Sequence, residues 1–426
     1  MLWIFVVMLA LFVLNVPIAW SLALAATVYM AFGSHIPLQG MVQRMIGGID
    51  TFPLLAIPFF ILAGNLMNTG GITDRLVRVA RAMVGGIIGG LAHVVVVSNM
   101  IMAGMSGSGV ADAAGTGTIL IPAMKKAGYT VPFSAAIVAA AGTIGPIIPP
   151  SIPFVIYGSI ASVSIGRLLL AGAVPGVLMG IMLMIFIYGI AKKRQYPSEK
   201  RVTGKEFLQA TISAIPPMGM PAIILGGIIL GVMTPTEAAA AGAAYAFILG
   251  FFIYHEITLA QLPKIILESV IGTASIVIIM SAAQPFSWIL TYELAPQKIL
   301  TLVENFATAQ WQILLMINVA MLLIGCFMET LSVMIMSVPL LLPLLQHAQI
   351  DLVHFGVFLV INVMIGSITP PVGTVMYVVC GLSKVSIIEF AREVFPFVIA
   401  LVIAMMIVTY VPILSLWLPN LIMPVK

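Results

Sequence analysis

Charge is what this chain has least of. Asp, Glu, Lys and Arg make up 8% of its 426 residues, where an ordinary soluble protein carries about 25%. So few charges cannot solvate the surface of a soluble enzyme this large, keep a disordered chain in solution or neutralise a run of phosphates on a nucleic acid. Cysteine is nearly missing as well. Cys326 and Cys380 both lie in apolar runs, which excludes a disulfide framework and a cysteine metal site. The sequence holds no phosphate loop ending in Lys-Ser or Lys-Thr, no HExxH and no GxSxG, so ATP hydrolysis, zinc proteolysis and serine-hydrolase chemistry have no foothold. Work done by this chain must draw on an ion gradient.

What is present is hydrophobic: 62% of residues, at a mean hydropathy of +1.19. At about 20 apolar residues per crossing, the reading is an all-α polytopic membrane protein of about 11 spanning segments. Residues 2–32 form one apolar run without a basic flank, too long for a signal-peptide core. They read as a span bent near Pro17. The 27 prolines and 38 glycines are many for a helical membrane chain, because both break helices.

The breakers mark an organisation. Segments 86–105 and 109–124 are separated only by Ser106-Gly107-Ser108-Gly109, and 311–327 and 330–346 only by a break at 328–330. Both pairs read as re-entrant helical hairpins. Segments 130–163 and 352–383 each carry a Pro-Pro pair and read as spans broken into half-helices. Residues 72–84, 257–268 and 296–307 are amphipathic and read as interfacial helices. The expected domains are scaffold helices at 1–70, an arm helix at 71–85 and a first transport half at 86–190, made of hairpin 86–127 and broken helix 130–163. A basic loop at 191–211, scaffold and arm helices at 212–307 and a second transport half at 308–426, with hairpin 311–346 and broken helix 352–383, complete them.

Lys192, Lys193, Arg194, Lys200, Arg201 and Lys205 crowd the loop 191–211, which the positive-inside rule places in the cytoplasm. With that side fixed, Arg75, Arg78, Arg81, Lys125, Lys126, Lys264, Lys384 and Arg392 also fall inside, and the N-terminus is expected there too. The outside keeps Arg44, Arg167, Lys298 and Lys426.

Sliding the chain against itself by 221 positions aligns this punctuation. Gly104 meets Gly325, Pro122 meets Pro343, and Ile144-Gly145 meets Ile365-Gly366. Pro149-Pro150 meets Pro370-Pro371, Ser162 meets Ser383, and Pro175 meets Pro396. The two halves have opposite predicted orientations. Matched broken helices in inverted halves point to a secondary-transporter site near the midplane.

A broken helix in hydrocarbon leaves carbonyls and amides that need protein, water or a ligand. Freed carbonyls with Ser and Thr hydroxyls suit a small hard cation such as Na+, and half-helix N-termini suit an anion. One expected Na+ site per half follows: Ser106, Ser108, Thr143, Gly145 and Ile148 in the first, and Gly325, Thr330, Gly366, Thr369 and Val372 in the second. The expected substrate or coupling positions are Ser106, Gly107, Asp112, Pro149, Pro150 and Ser151, with Glu329, Ser332, Pro370 and Pro371. Asp112 and Glu329 are intramembrane carboxylates, either functional or capping the hairpin tips through the helix dipole. Glu237 reads as a helix cap. His93 and His347 read as packing or interfacial residues. Asn15, Asn65, Asn99, Asn318 and Asn362 read as helix–helix hydrogen-bonding groups.

The Ser106–Gly109 tip, the stretch Gly145-Pro146-Ile147-Ile148-Pro149-Pro150-Ser151, the stretch Gly366-Ser367-Ile368-Thr369-Pro370-Pro371-Val372-Gly373, and Ile57-Pro58-Phe59-Phe60 with Ala63-Gly64 together resemble the DctM-type large membrane subunit of tripartite ATP-independent periplasmic (TRAP) transporters. The resemblance covers essentially the whole chain. It implies an elevator-type importer in the bacterial inner membrane, coupled to Na+. A periplasmic substrate-binding protein delivers an organic anion of the C4-dicarboxylate or sialic acid class, and a small four-helix membrane subunit, here a separate chain, is the other partner. By motif match it places cation and substrate contacts on Ser106, Ser108, Asp112, Thr143, Gly145, Glu329, Thr330, Gly366 and Thr369. The close rival is a stand-alone Na+/dicarboxylate or citrate symporter. A passive channel and an intramembrane acid–base enzyme are more distant ones.

Overall fold

The computed structural model describes residues 2–14, 16–32, 37–199, 202–306, 309–371 and 373–424. Among them every regular element is a helix. The chain opens with α1 (Leu2–Val13), α2 (Ile18–Phe32) and α3 (Gln39–Gly47), then a short helical turn at Phe52–Leu55 that leads into α4 (Ala56–Thr69) and α5 (Ile72–Val84). The first hairpin is α6 (Gly90–Ser106) and α7 (Gly109–Lys126). The first broken helix is α8 (Val131–Gly142) and α9 (Ile152–Ala161), followed by the long α10 (Ile165–Arg194). Next come α11 (Gly204–Ile229), α12 (Pro235–Ile248), α13 (Leu262–Tyr292) and α14 (Ala295–Phe306). The second hairpin is α15 (Gln310–Gly325) and α16 (Thr330–His347), the second broken helix α17 (Leu352–Gly366) and α18 (Thr374–Ser383), and the chain closes with α19 (Ile387–Tyr410) and α20 (Ile413–Ile422).

The inverted repeat is visible in where helices begin. α7 starts at 109 and α16 at 330, and α8 starts at 131 and α17 at 352, both 221 residues apart. Local chemistry sets these starts. Ser108 accepts a hydrogen bond from the Ala111 amide at 3.4 Å, Ser151 one from the Phe154 amide at 3.2 Å, and Asp351 one from the Val353 amide at 2.8 Å. Each supplies an acceptor to a first-turn amide that has no partner within its helix. Thr234 and Glu237 form a reciprocal capping box, with the Thr234 amide 2.7 Å from the Glu237 carboxylate, as the sequence predicts.

The halves interlock crosswise. α18 packs on α7 and α16 packs on α9, so each hairpin arm is paired with the half-helix of the other repeat. α19 packs on α8 and α10 on α17, flanking the broken helices of both halves. Around it α13 packs on α2, α3, α4 and α16, and α12 packs on α4 and α11. Among the described residues, seven helical runs are at least 18 residues long and apolar enough to cross a bilayer alone, α10, α11 and α13 among them. The half-helices and the arms α6 and α15 are shorter.

Two readings of the sequence are corrected. Residues 2–32 are two helices packed against each other, not one bent span. Pro17 disfavours helical geometry at the residue before it and has no amide to give; α1 ends at Val13 and α2 starts at Ile18, and neither piece reaches the roughly 20 residues of a crossing. The amphipathic stretch 257–268 is not a separate interfacial helix. Its later part forms the first turns of α13, with Pro263 in the tolerated first turn, and this helix runs on for 31 residues. The arms α5 and α14 do form helices where the sequence places them.

Candidate functional site

The first hairpin tip is built by a left-handed glycine and a web of hydroxyls. Gly107 has φ +59°, and a Cβ there would lie 2.8 Å from the Pro150 carbonyl oxygen. The tip therefore sits directly on the first break. Ser106 Oγ donates to Asp112 Oδ1 and accepts from the Ser108 amide at 3.2 Å. Asp112 is fully buried. Its other oxygen, Oδ2, has no hydrogen-bond partner among the described residues and lies against Gly145, where a side chain would collide with it. Thr143 is buried and donates to the Ala140 carbonyl at 2.7 Å. Ser151 caps α9 and donates to the Pro146 carbonyl inside the break. Pro149 and Pro150 are buried and their peptide bond is cis, as is that of Pro370 and Pro371. Ile148 turns its side chain toward Gly176 of α10.

The second tip uses different groups for the same task. Glu329 Oε2 accepts from the Leu331 amide at 3.0 Å and the Ser332 amide at 3.2 Å, so the carboxylate caps α16. This was one of the two roles open to it from the sequence. Gly325 and Gly366 bring α15 and α17 into backbone contact, leaving no room for a Cβ on Gly366. Thr369 Oγ donates to the Ile365 carbonyl at 2.8 Å and Ser367 Oγ to the Met364 carbonyl at 2.7 Å. Pro370 is partly exposed and Pro371 exposed. Val372 lies outside the described residues.

The two constellations meet at a residue that sequence reasoning missed. Met364 receives the Thr330 hydroxyl on its sulfur at 3.6 Å, and its terminal methyl lies against Gly109 of the first tip. It touches both tips from the last turn before the second break. Nothing polar marks it, but in the 221-residue offset it stands opposite Thr143, and that register was the available signal. Four of the five asparagines make the expected bonds between helices, and Asn15 lies outside the described residues. Asn65 donates to Ser269 at 2.9 Å, Asn99 to Thr116 at 3.1 Å, Asn362 to Asn318 Oδ1 at 3.0 Å and Asn318 to Thr409 at 3.1 Å.

Around this centre the two sides differ. α7 and α18 leave a face uncovered, with Val110 39% and Tyr377 47% exposed. α7 runs from the tip to Lys125 and Lys126, the end the sequence assigns to the cytoplasm. Their repeat counterparts α16 and α9 pack on α13, on the turn at Phe52–Leu55 and on α4. What remains between them is a cavity of about 290 Å³ bordered by Thr51, Ser159, Gln284 and Pro339.

Comparison with known proteins bears on this arrangement. Residues 5–414 match the family described as "Tripartite ATP-independent periplasmic transporter, DctM component". The chain is 42% identical over 401 residues to the isethionate TRAP transporter permease protein DctMQ of Oleidesulfovibrio alaskensis, covering 94% of this chain and 63% of that longer one. It is 39% identical over 413 residues to the sialic acid TRAP transporter large permease protein SiaM of Vibrio cholerae, covering 97% of both. It is 38% identical over 400 residues to the C4-dicarboxylate TRAP transporter large permease protein DctM of Pseudomonas aeruginosa, covering 94% of both. Among solved structures it is similar in fold to MtrF of Neisseria gonorrhoeae, from a class of antimetabolite efflux pumps, at a TM-score of 0.60 and 13% identity, over 87% of this chain and 83% of that one. An all-helical inverted repeat with paired hairpin tips and paired breaks is thus joined to sequence identity along nearly its whole length, and the chain belongs to the DctM family of large permease components of TRAP transporters.

Proposed function

We propose that this permease imports a small organic acid anion across the bacterial inner membrane, driven by Na+ and working by an elevator motion of its transport core. The observation that carries the proposal is Asp112, a fully buried carboxylate with one unpartnered oxygen, held by Ser106 against Gly145 of the first break. A buried carboxylate oxygen in a membrane is stable only with a partner. The donors around it are hard oxygens, which fits Na+. Ser106, Ser108, Asp112 and Thr143, with the carbonyls of Gly145 and Ile148, would hold the ion in the first half. Thr330 and Thr369, with the carbonyls of Gly325 and Gly366, are the corresponding set in the second. Bound Na+ supplies positive charge at the tips.

The anion is assigned to the gap between the first tip and the second break. There Ser108 and Pro370 are partly exposed, Pro371 is exposed, and α18 begins at Thr374 after Gly373, which has no side chain to cap it. The Val375 and Met376 amides there donate to the Ser367 carbonyl at 3.1 and 3.3 Å, so it is the dipole of this helix N-terminus that favours a carboxylate or sulfonate. The relatives named for isethionate, sialic acid and C4-dicarboxylates share an acidic group on a small polar body, and we assign this chain a solute of that class. The uncovered α7–α18 face and the α9–α16 face, which packs on α13, α4 and the turn at Phe52–Leu55, support a state open toward the basic loop. Elevator motion would exchange them, moving 86–190 and 308–418 against the scaffold formed by 1–70 and 212–290. A periplasmic binding protein and a small membrane subunit complete the assembly.

The test is uptake by the chain reconstituted with its small subunit and binding protein. Solute should enter only under an inward Na+ gradient, and Ser108→Ala and Thr369→Ala should weaken that dependence. Equal uptake in K+ alone would overturn the Na+ coupling. Uptake by the purified chain without its partners would favour the stand-alone symporter.

A further inference from the structure

The two hairpins share their sequence punctuation but not their packing. In the first, α6 and α7 lie close together, and Asn99 Nδ2 donates to Thr116 Oγ1 at 3.1 Å between the arms. In the second, α15 and α16 diverge. The 221-residue offset puts Ala320 where Asn99 stands and Ser337 where Thr116 stands. Ala320 has no amide to donate. Ser337 is 6% exposed, and its Oγ has no hydrogen-bond partner among the described residues. The second hairpin has therefore kept one half of a polar bridge and lost the other.

Beside the separated arms, walled on its other side by Phe5 and Met8 of α1 and by Val16, Pro17 and Ile18, lies a cavity of about 1130 Å³, larger than the roughly 300–1,000 Å³ of ordinary small-molecule pockets. Ile299, Ala320, Met321, Phe327, Met336 and Ser337 are among its walls, which are apolar apart from the serine hydroxyl. It is continuous with the outer surface through Ala320, which is exposed, and Phe327, at 61% exposed. The corresponding space beside α6 is closed by α4 and α5. α14, the counterpart of α5, lies instead against α16.

We infer that this groove is a binding site for one membrane phospholipid, whose acyl chain lies between α15 and α16 and whose ester carbonyl accepts a hydrogen bond from Ser337. The apolar walls fit the chain, since a buried methylene is stabilised by burial in proportion to its area. The unpartnered hydroxyl asks for one acceptor at the edge of an otherwise apolar cleft, which is the chemistry of an acyl ester. Hydrocarbon is also the solvent on the open side of the groove. The lipid takes the place that the Asn99–Thr116 bridge takes in the first hairpin, as a removable spacer between the arms.

The experiment uses the full chain in phosphatidylethanolamine–phosphatidylglycerol vesicles that contain phosphatidylethanolamine with a diazirine in one acyl chain. After illumination the labelled residues are mapped by mass spectrometry. Label should concentrate on Met321 and Met336 over Ile212 and Met218, which lie on α11 away from the groove. Ala320→Asn rebuilds the bridge of the first hairpin and should remove the label from the groove alone. Ser337→Ala leaves the groove open and should lower its labelling about fivefold, as the loss of one neutral hydrogen bond predicts. The second variant keeps the test decisive where the first fails to fold. Even labelling of the groove and α11, or groove labelling unchanged in both variants, would overturn the inference. So would groove labelling that vanishes when the small membrane subunit is added, because the occupant would then be a protein helix. None of these outcomes depends on Na+ coupling.

Discussion

Asp112 decides most at the scale of single residues. Its carboxylate has one oxygen on Ser106 and one without a partner, so a change that keeps its shape and removes its charge isolates what that oxygen does. A ligand that binds only the folded chain raises stability by RT ln(1 + [L]/Kd). Na+ should therefore raise the melting temperature of the wild type, and Asp112→Asn should abolish that rise while the protein remains folded. A Na+-induced shift of wild-type size in Asp112→Asn would remove Asp112 from the cation site. Gly366→Ala acts through space instead. Its methyl would meet the backbone of Gly325, and overpacking of this kind costs about 1–3 kcal/mol. Thermal unfolding in detergent should report that loss without any Na+ present. The sequence made Ser106, Gly107, Asp112 and Gly366 legible because breakers and charges are conspicuous in an apolar chain. Met364 was not legible. Its part comes from touching Gly109 and Thr330 at once, a property of the folded arrangement rather than of the residue type.

At the scale of elements, helix starts were legible because caps are local. The cap at Thr234 and Glu237 was read in advance, and Ser108, Ser151 and Asp351, not read as caps, cap first turns in the same way. What the sequence hid is how elements pack once formed. The separation of α1 from α2 follows from Pro17, yet no local signal told a bend from a full break. The divergence of α15 from α16 accompanies the exchange of Asn99 for Ala320 across the repeat, visible only once the offset is set against contacts. α15 is instead tied to α17 and α19 through Asn362, Asn318 and Thr409, a chain of polar groups in an apolar interior. Hydrogen bonds between membrane helices are worth about 0.6 kcal/mol each on average and up to about 1.7. Asn362→Ala should therefore raise hydrogen exchange in residues 310–325 by a few-fold and leave α7 unchanged. Equal protection of α15 in variant and wild type would show that apolar packing alone holds the second hairpin to the core.

For the whole molecule, the inverted repeat was readable but its present state was not. Matched halves carry the same punctuation, so the sequence is nearly neutral about which side is open, and the choice rests on energy differences of a few kcal/mol between two packings of the same helices. In the structure α7 and α18 are uncovered while α16 rests on α13 and α9 on α4 and the turn at Phe52–Leu55. Thr374 is partly exposed on the open face, and Ser159 borders the cavity beside α9 and α16. With Cys326 and Cys380 replaced by Ala, Thr374→Cys should react with a membrane-impermeant thiol reagent applied from the cytoplasmic side. Ser159→Cys should react slowly with the same reagent from the outside. If the core travels, Na+ with solute-loaded binding protein should slow the first reaction and speed the second together, because one rigid displacement covers one face as it uncovers the other. Rates that change singly, or stay fixed while uptake proceeds, would mean that the solute crosses without the two faces exchanging cover.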